Sequence, residues 1–326
     1  MVEREMFMRI LLLALALASI ATATRAQDYP TRPITLIIPT AAGGGNDGVG
    51  RVVADRMGHT LGQQLVVENR SGASGTIATK ALARSAPDGY TLGISNSGTM
   101  GMGPSLFPNA GYDPRKDFAP IGAIAASPMV LVVANDVPVH SLAELIEFAK
   151  RNPGKLTYGS SGAGSPSHLF AELFASMAGI KLTHVPFRGL GPAMNDLIGG
   201  HITMVFPAVS TAMGNIRAGS IRPLATTGEI RHKDFPELPT IAEAGLAGYS
   251  AEQRYGMLAP AGTPPAIILK LNAALREALN APEVKTQIHN EGAIAQPGSP
   301  EDYARDIDRE EVKWSRVIRD TGALPK

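Results

Sequence analysis

The 326-residue chain has no cysteine. Disulfides, thiolate nucleophiles and cysteine-based metal sites are therefore excluded together. Charge of one sign is missing too: 30 Lys and Arg stand against 29 Asp and Glu. Without the first 26 residues the balance is 27 against 27, so nothing points to a nucleic-acid partner or an anionic membrane surface. The N-terminal apolar run 10-ILLLALALASI-20 has 11 residues, short of the about 20 that span a bilayer. Catalytic signatures are also wanting. There is no H-E-x-x-H and no G-x-S-x-G. The seven histidines (59, 140, 168, 184, 201, 232, 289) are scattered, so no catalytic residue, no metal ligand and no cofactor is assigned.

The short apolar run fits a secretory signal peptide. Ala21-Thr22-Ala23 or Thr24-Arg25-Ala26 supplies the small residues before cleavage, and a start at Met8 would give a more ordinary leader. Residues 1–26 are thus expected to be removed. The remaining 300 residues, from Gln27, suffice for about two domains.

Strand-like apolar runs then alternate with helix-period stretches, which indicates an α/β fold. Strands are expected at 34–39, 65–68, 129–133, 155–159, 182–187, 202–206, 221–228 and 254–260, and 87–95 reads as a turn leading into a strand. Helices are expected at 47–61, 76–85, 141–151, after Ser165, and at 191–199, 208–218, 265–280 and 300–320. Asn152-Pro153-Gly154 should stop the helix before it.

Two stretches share one plan of strand, small-residue loop and helix: 39-PTAAGGGNDG-48 and 159-GSSGAGSPSH-168. The first contains G-x-G-x-x-G at Gly43, Gly45 and Gly48, with Glu68 about 20 residues on, as a dinucleotide fingerprint requires. An exported or misassigned NAD(P)-dependent oxidoreductase is therefore an alternative reading. Neither loop has the Lys-Ser/Thr of a P-loop. Both offer backbone N–H groups at a helix N-terminus, which can hold an anion without a formal charge. Two such loops suggest two lobes facing one cleft. The first lobe is expected to comprise 27–128 plus 252–326, and the second 129–251, with hinge closure across two crossovers.

Several motifs in order carry a family resemblance: 29-YPTRPITLIIP-39, 65-LVVENRSGASG-75, 87-PDGYTL-92, 113-DPRKDFAPI-121, 153-PGKLTYGSSGAGSPSHL-169, 184-HVPFRGLGPAMNDLIGG-200, 238-LPTIAEAGLAGY-249 and 257-MLAPAGTPP-265. Through them the chain resembles the Bug family, periplasmic solute receptors of tripartite tricarboxylate transporters, over essentially all of its mature length. The resemblance implies a type II periplasmic-binding-protein-like α/β fold of two lobes. It also implies a small-carboxylate ligand, membrane subunits as partners, a periplasmic location and a monomer. Carried over residue by residue, it points to Thr40, Ala42, Gly43 and Asn46 on the first loop. On the second it points to Ser161, Gly162, Gly164, Ser165 and His168. Ser95, Ser97, Thr99, Phe187, Arg188 and the 206–208 segment with Pro207 are further wall positions.

The chain departs from the family pattern at three places. Phe206-Pro207-Ala208 stands where Phe-Asp-Asn is common, Arg254 where an aromatic is common, and Ala163 where Asn is common. A buried ammonium needs an acceptor, and Pro207 provides none through its side chain. Arg254 could instead hold a second carboxylate bidentately, unless it pairs with Glu252. The expected ligand is therefore a di- or tricarboxylate or an aromatic acid without an amino group.

Overall fold

The computed structural model describes residues 29–43 and 45–324. The expected signal peptide lies outside them. The chain forms two mixed sheets.

The first sheet has the order β11-β4-β10-β3-β1-β2. Next to its edge lies β1 (Ile34–Ile38), parallel to the edge strand β2 (Leu65–Asn69) on one side and to β3 (Thr91–Asn96) on the other. β10 (Glu252–Pro260) runs antiparallel to β3, β4 (Phe118–Pro128) antiparallel to β10, and the short β11 (Ile294–Ala295) antiparallel to β4. Alternation places Ile34, Leu36 and Ile38 in one core. There they meet Val49, Val53 and Met57 of α1 (Gly45–Leu61) and Leu271 and Leu275 of α8 (Pro265–Asn280). Each such burial contributes roughly 1.5–3 kcal/mol.

The second sheet has the order β7-β6-β8-β5-β9 and repeats that plan. β6 (Thr157–Ser160) lies between parallel partners β7 (Thr183–Pro186) and β8 (Met204–Val205). β5 (Val130–Val133) and β9 (Arg222–Thr226) complete it antiparallel. Its helices start where the sequence says they should. Ser141 caps α4 (Leu142–Arg151) by accepting from the Glu144 amide, and Ser165 caps α5 (Pro166–Ala178) by accepting from the His168 amide. α6 (Leu190–Ile198) and α7 (Val209–Arg217) follow β7 and β8.

The chain passes between the sheets twice, from β4 to β5 and on the way from β9 to β10. A third link is the last helix, α10 (Pro300–Thr321), which starts with a Ser299/Asp302 capping box. Its early turns pack beside the first sheet, where Tyr303 and Ile307 join Leu82 and Leu258. Its late turns enter the core of the second. Trp314 is fully buried and stacks on Phe170 of α5, with ring centroids 5.3 Å apart, and Val317 and Ile318 belong to the same cluster.

Candidate functional site: a cleft between two glycine loops

In each sheet the glycine loop follows the strand flanked by two parallel partners, β1 or β6. The chain leaves β1 to form β2 on one side and then returns to form β3 on the other; β6, β7 and β8 do the same. These are topological switch points, where the loops at the carboxyl ends splay apart and leave a crevice. The two crevices meet in one cleft of about 510 Å³. The first side supplies Thr40, Ala41, Ser71, Ser74, Asn96, Gly98 and Gln253, and the second supplies Ser161, Ala163, Gly164 and Ser165. Among the described residues that line the cleft, none carries a charged side chain. A more open concavity of about 580 Å³ runs along α1 and β2, with residues from the first side alone.

The loops are held by matching devices. The Gly43 amide donates to Asp47 Oδ2 at 2.9 Å, and the Gly164 amide donates to His168 Nδ1 at 2.9 Å. In both, a side chain in the first helical turn accepts from a glycine four residues earlier. Gly43 (φ 85°) and Gly164 (φ 75°) lie in the left-handed region these turns require. Asp47 also receives Arg51 Nε and Asn69 Nδ2, both at 2.9 Å, and Asn69 donates to the Thr40 carbonyl. Burial pushes the Asp47 carboxyl up. The bonds from Arg51, Gly43 and Asn69 together outweigh it and hold the pKa at about 2.

Behind the second loop lies a stack of three rings. His168 faces His184 at 3.9 Å between centroids, and His184 faces Tyr158 at 4.9 Å. His184 Nε2 meets the Ser160 hydroxyl at 2.6 Å, and Tyr158 donates to Glu172. Burial, with His184 beside it, holds the His168 imidazole down at about 4. It is neutral at ordinary pH, as accepting the Gly164 proton demands. Burial lowers His184 and raises Glu172, the latter against the lowering effect of the Tyr158 bond.

The expected site residues therefore divide. Thr40, Ser161, Gly164 and Ser165 line the cleft. Ala42 and Gly43 are exposed beside it, and Asn46 is buried at the start of α1. Gly162 (φ 124°) sits between lining residues, 3.6 Å from the Phe187 carbonyl when a Cβ is built on it. Phe187 and Arg188 flank the second loop, Phe187 through its amide to the Ser160 carbonyl at 3.0 Å, with Arg188 exposed.

Six assignments are corrected. His168 is buried behind its loop and supports it rather than facing the cleft. Ser95 bonds the Tyr303 hydroxyl at 2.6 Å, Ser97 bonds the Glu252 carbonyl, and Thr99 closes onto Asn96. Asn96, the last residue of β3, and Gly98, at the start of the helical turn that follows, line the cleft instead. Pro207 is buried, its carbonyl accepting from the Val130 amide at 3.0 Å. Arg254 lies among Glu229 and Glu252 at 3.1 Å each, Asp306 at 3.8 Å and Glu310 at 3.9 Å. Its neighbour Gln253, on the opposite face of β10, reaches the cleft. The Gly43 and Gly164 amides, engaged by Asp47 and His168, are not ligand donors. Glu68, the acid of the dinucleotide reading, is half-exposed and paired with Arg70 at 2.7 Å.

What remains available is polar and uncharged. Thr40 Oγ1 and Gln253 Oε1, both on lining residues, are buried without a hydrogen-bond partner, as is Asn46 Oδ1. Among the described residues, the amides of Ala41 and Ala163 have no acceptor within the chain. Hydroxyls, amides and two helix N-termini suit carboxylate oxygens, whereas no carboxylate is present on the lining to meet an ammonium.

Residues 49–323 match the tripartite tricarboxylate transporter family receptor, TctC. Protein BugT of Bordetella pertussis is 37% identical over 96% of this chain and 96% of its own length. The solved structure of R. palustris Rpa4515 with adipate is 37% identical, with a TM-score of 0.77, covering 92% of this chain and all of that one. MatC (Rpa3494) from Rhodopseudomonas palustris with bound malate is 33% identical, with a TM-score of 0.72, over 89% of this chain and all of that one. The two-sheet α/β fold is that of these binding proteins, and this chain belongs to the tripartite tricarboxylate transporter family of solute receptors.

Proposed function

We propose that this protein is a periplasmic receptor that captures a small dicarboxylate without an amino group and hands it to the membrane subunits of a tripartite tricarboxylate-type transporter. One observation carries the reading: two glycine loops at two switch points meet at a cleft of about 510 Å³ that is polar but uncharged. The adipate and malate bound to the two relatives are both dicarboxylates, which supports the ligand class. Each loop then serves one carboxylate, the first through Thr40 and the Ala41 amide, the second through Ser161, Ser165 and the Ala163 amide. The lobes are 27–128 plus 252–326 and 129–251, and they close about the β4–β5 and β9–β10 crossovers. Residues 1–26 direct export. The protein acts as a monomer and catalyses nothing.

The test is thermal shift and calorimetry with succinate, adipate, malate, citrate, a phthalate isomer, aspartate, glutamate and NAD. A dicarboxylate at ~100 times its dissociation constant should stabilise the fold by about 2.7 kcal/mol. Binding of aspartate, glutamate or NAD in preference to every unsubstituted or hydroxylated acid would overturn the reading.

A further inference from the structure

Three side chains far apart in sequence converge on the side of the molecule where the two sheets' units touch. His232 and Asp234 lie in the segment between β9 and β10, whose Phe235 packs into a core of the second sheet. His289 lies near the end of α9 (Pro282–Asn290), whose Val284 and Ile288 pack under the first. His289 Nε2 is 3.2 Å from Asp234, and His232 Nδ1 is 3.7 Å from the same carboxylate. One ligand atom from each of the three falls within 4.8 Å of the others.

We propose that His232, Asp234 and His289 form a binding site for a divalent transition-metal ion of the Zn²⁺ type, which ties the two units together. The chemistry of the set fits. Two imidazoles and a carboxylate are ligands such ions accept, leaving a fourth position for water. Bonds of about 2.0–2.2 Å place neighbouring atoms of a tetrahedral shell roughly 3.3–3.6 Å apart, and the 3.2 and 3.7 Å separations bracket that spacing. His232 is fully buried, so its ring cannot swing away. His232 Nδ1 also accepts a long hydrogen bond from the Asp234 amide at 3.3 Å, which the ion would replace, while the far ring nitrogens, His232 Nε2 and His289 Nδ1, are buried without partners, so the trio is not a completed hydrogen-bond network. A simple ion pair needs one histidine; the second, carried on another unit, is what a chelate adds.

The position gives the ion a mechanical role. Gly292, three residues beyond His289, accepts a hydrogen bond from Ser127 near the end of β4 at 2.8 Å, and lies against Ser210 at the start of α7. A cation here clamps the segment around His232 onto α9 beside the β4–β5 crossover. This inference does not depend on the identity of the carboxylate.

The experiment uses untagged protein stripped with a chelator. It is titrated with ZnCl₂ in competition with a chromophoric chelator, and with CoCl₂ under visible spectroscopy. A single equivalent should bind, Co²⁺ should show the intense ligand-field bands of a four-coordinate site, and Zn²⁺ should raise Tm. His289→Gln and Asp234→Asn, both on partly exposed residues, should each weaken Zn²⁺ binding at least tenfold and abolish the Tm shift. His59→Gln and His140→Gln, at exposed positions elsewhere, should leave both unchanged. Absence of stoichiometric binding, or binding that survives both His289→Gln and Asp234→Asn, overturns the proposal.

Discussion

The imidazoles of His168 and His184 lie face to face, 3.9 Å between centroids and 6° from parallel, directly behind the loop that presents Ser161 and Gly164. Two rings so close and so buried cannot both be charged. His168 has its folded pKa lowered from 6.5 to about 4, and His184 is lowered in the same direction. Above about pH 6.5 both states leave them neutral and the contribution to stability is complete. As the pH falls from 6.5 toward about 4, the unfolded chain takes up protons that the folded one refuses, so stability drops. Glu172, raised by burial, acts in the opposite sense: its contribution is present below its ordinary 4.5 and is lost as the pH rises through its folded value. Urea midpoints measured at a series of pH values should therefore decline on acidification through the histidine window. The decline should be shallower in His168→Gln plus His184→Gln. An equal slope in both proteins would show that the stack does not carry the effect.

Gln253 and Arg254 are adjacent in sequence but point to opposite faces of β10, so their substitutions should have opposite consequences. Gln253→Ala removes a cleft side chain and should weaken dicarboxylate binding about tenfold, or ~1.4 kcal/mol, with Tm nearly unchanged. Arg254→Ala leaves Glu252 buried without its paired cation, whereas Glu310 keeps Lys313, and should cost about 3 kcal/mol of stability. Calorimetry and urea melts on the two variants decide the register. A large affinity loss in Arg254→Ala at unchanged stability would place its guanidinium in the cleft after all.

Thr40→Val replaces a buried hydroxyl that has no partner in the chain by a methyl of the same shape. Such an exchange is neutral or stabilising for the fold, since it removes a desolvated polar atom. The same exchange should weaken carboxylate binding about tenfold, roughly 1.4 kcal/mol. The two effects are read by thermal melts and calorimetry, and unchanged affinity would remove Thr40 from the site.

Gly162 adopts φ 124°, where a β-branched side chain is strained by about 1–2 kcal/mol. Gly162→Val should shift Ser161 and Ala163 together and reduce affinity more than Lys155→Ala, which removes an exposed charge from the same side of the fold. Gly43→Val, at φ 85°, should behave likewise through Asp47. Parity of affinity among all three variants is the result that rejects loop-borne recognition.

Much of this fold is legible in the sequence because its signals are local. The runs 34–39 and 65–68, the Ser165 cap and the Pro-started helix at 265–280 all appear close to where periodicity and caps put them. The eleven-residue β4, 118-FAPIGAIAASP-128, escapes notice: Ala, Gly and Pro have low strand propensity, and its pairing with β10 on one side and β11 on the other makes it a strand. At the site, the loops are legible and their wiring is not. Asp47 and His168 play one role with different chemistry, which no spacing rule announces. The facing of Arg254 depends on acids from residues 229, 306 and 310, and the meeting of His232 with His289 on two separate units.

The placement of Trp314 has a bearing on the order in which the molecule can be made. Every strand of the second sheet lies between residues 130 and 226, yet the cluster around Phe170 includes Trp314, Val317, Ile318 and Ala323. A ribosome delivers the chain from its N-terminus. The second unit therefore cannot close its hydrophobic core until nearly a hundred residues beyond its last strand have also been delivered. Residues 129–251 expressed as a separate fragment would keep that core open permanently, at a cost comparable to the roughly 3–5 kcal/mol of losing a core aromatic.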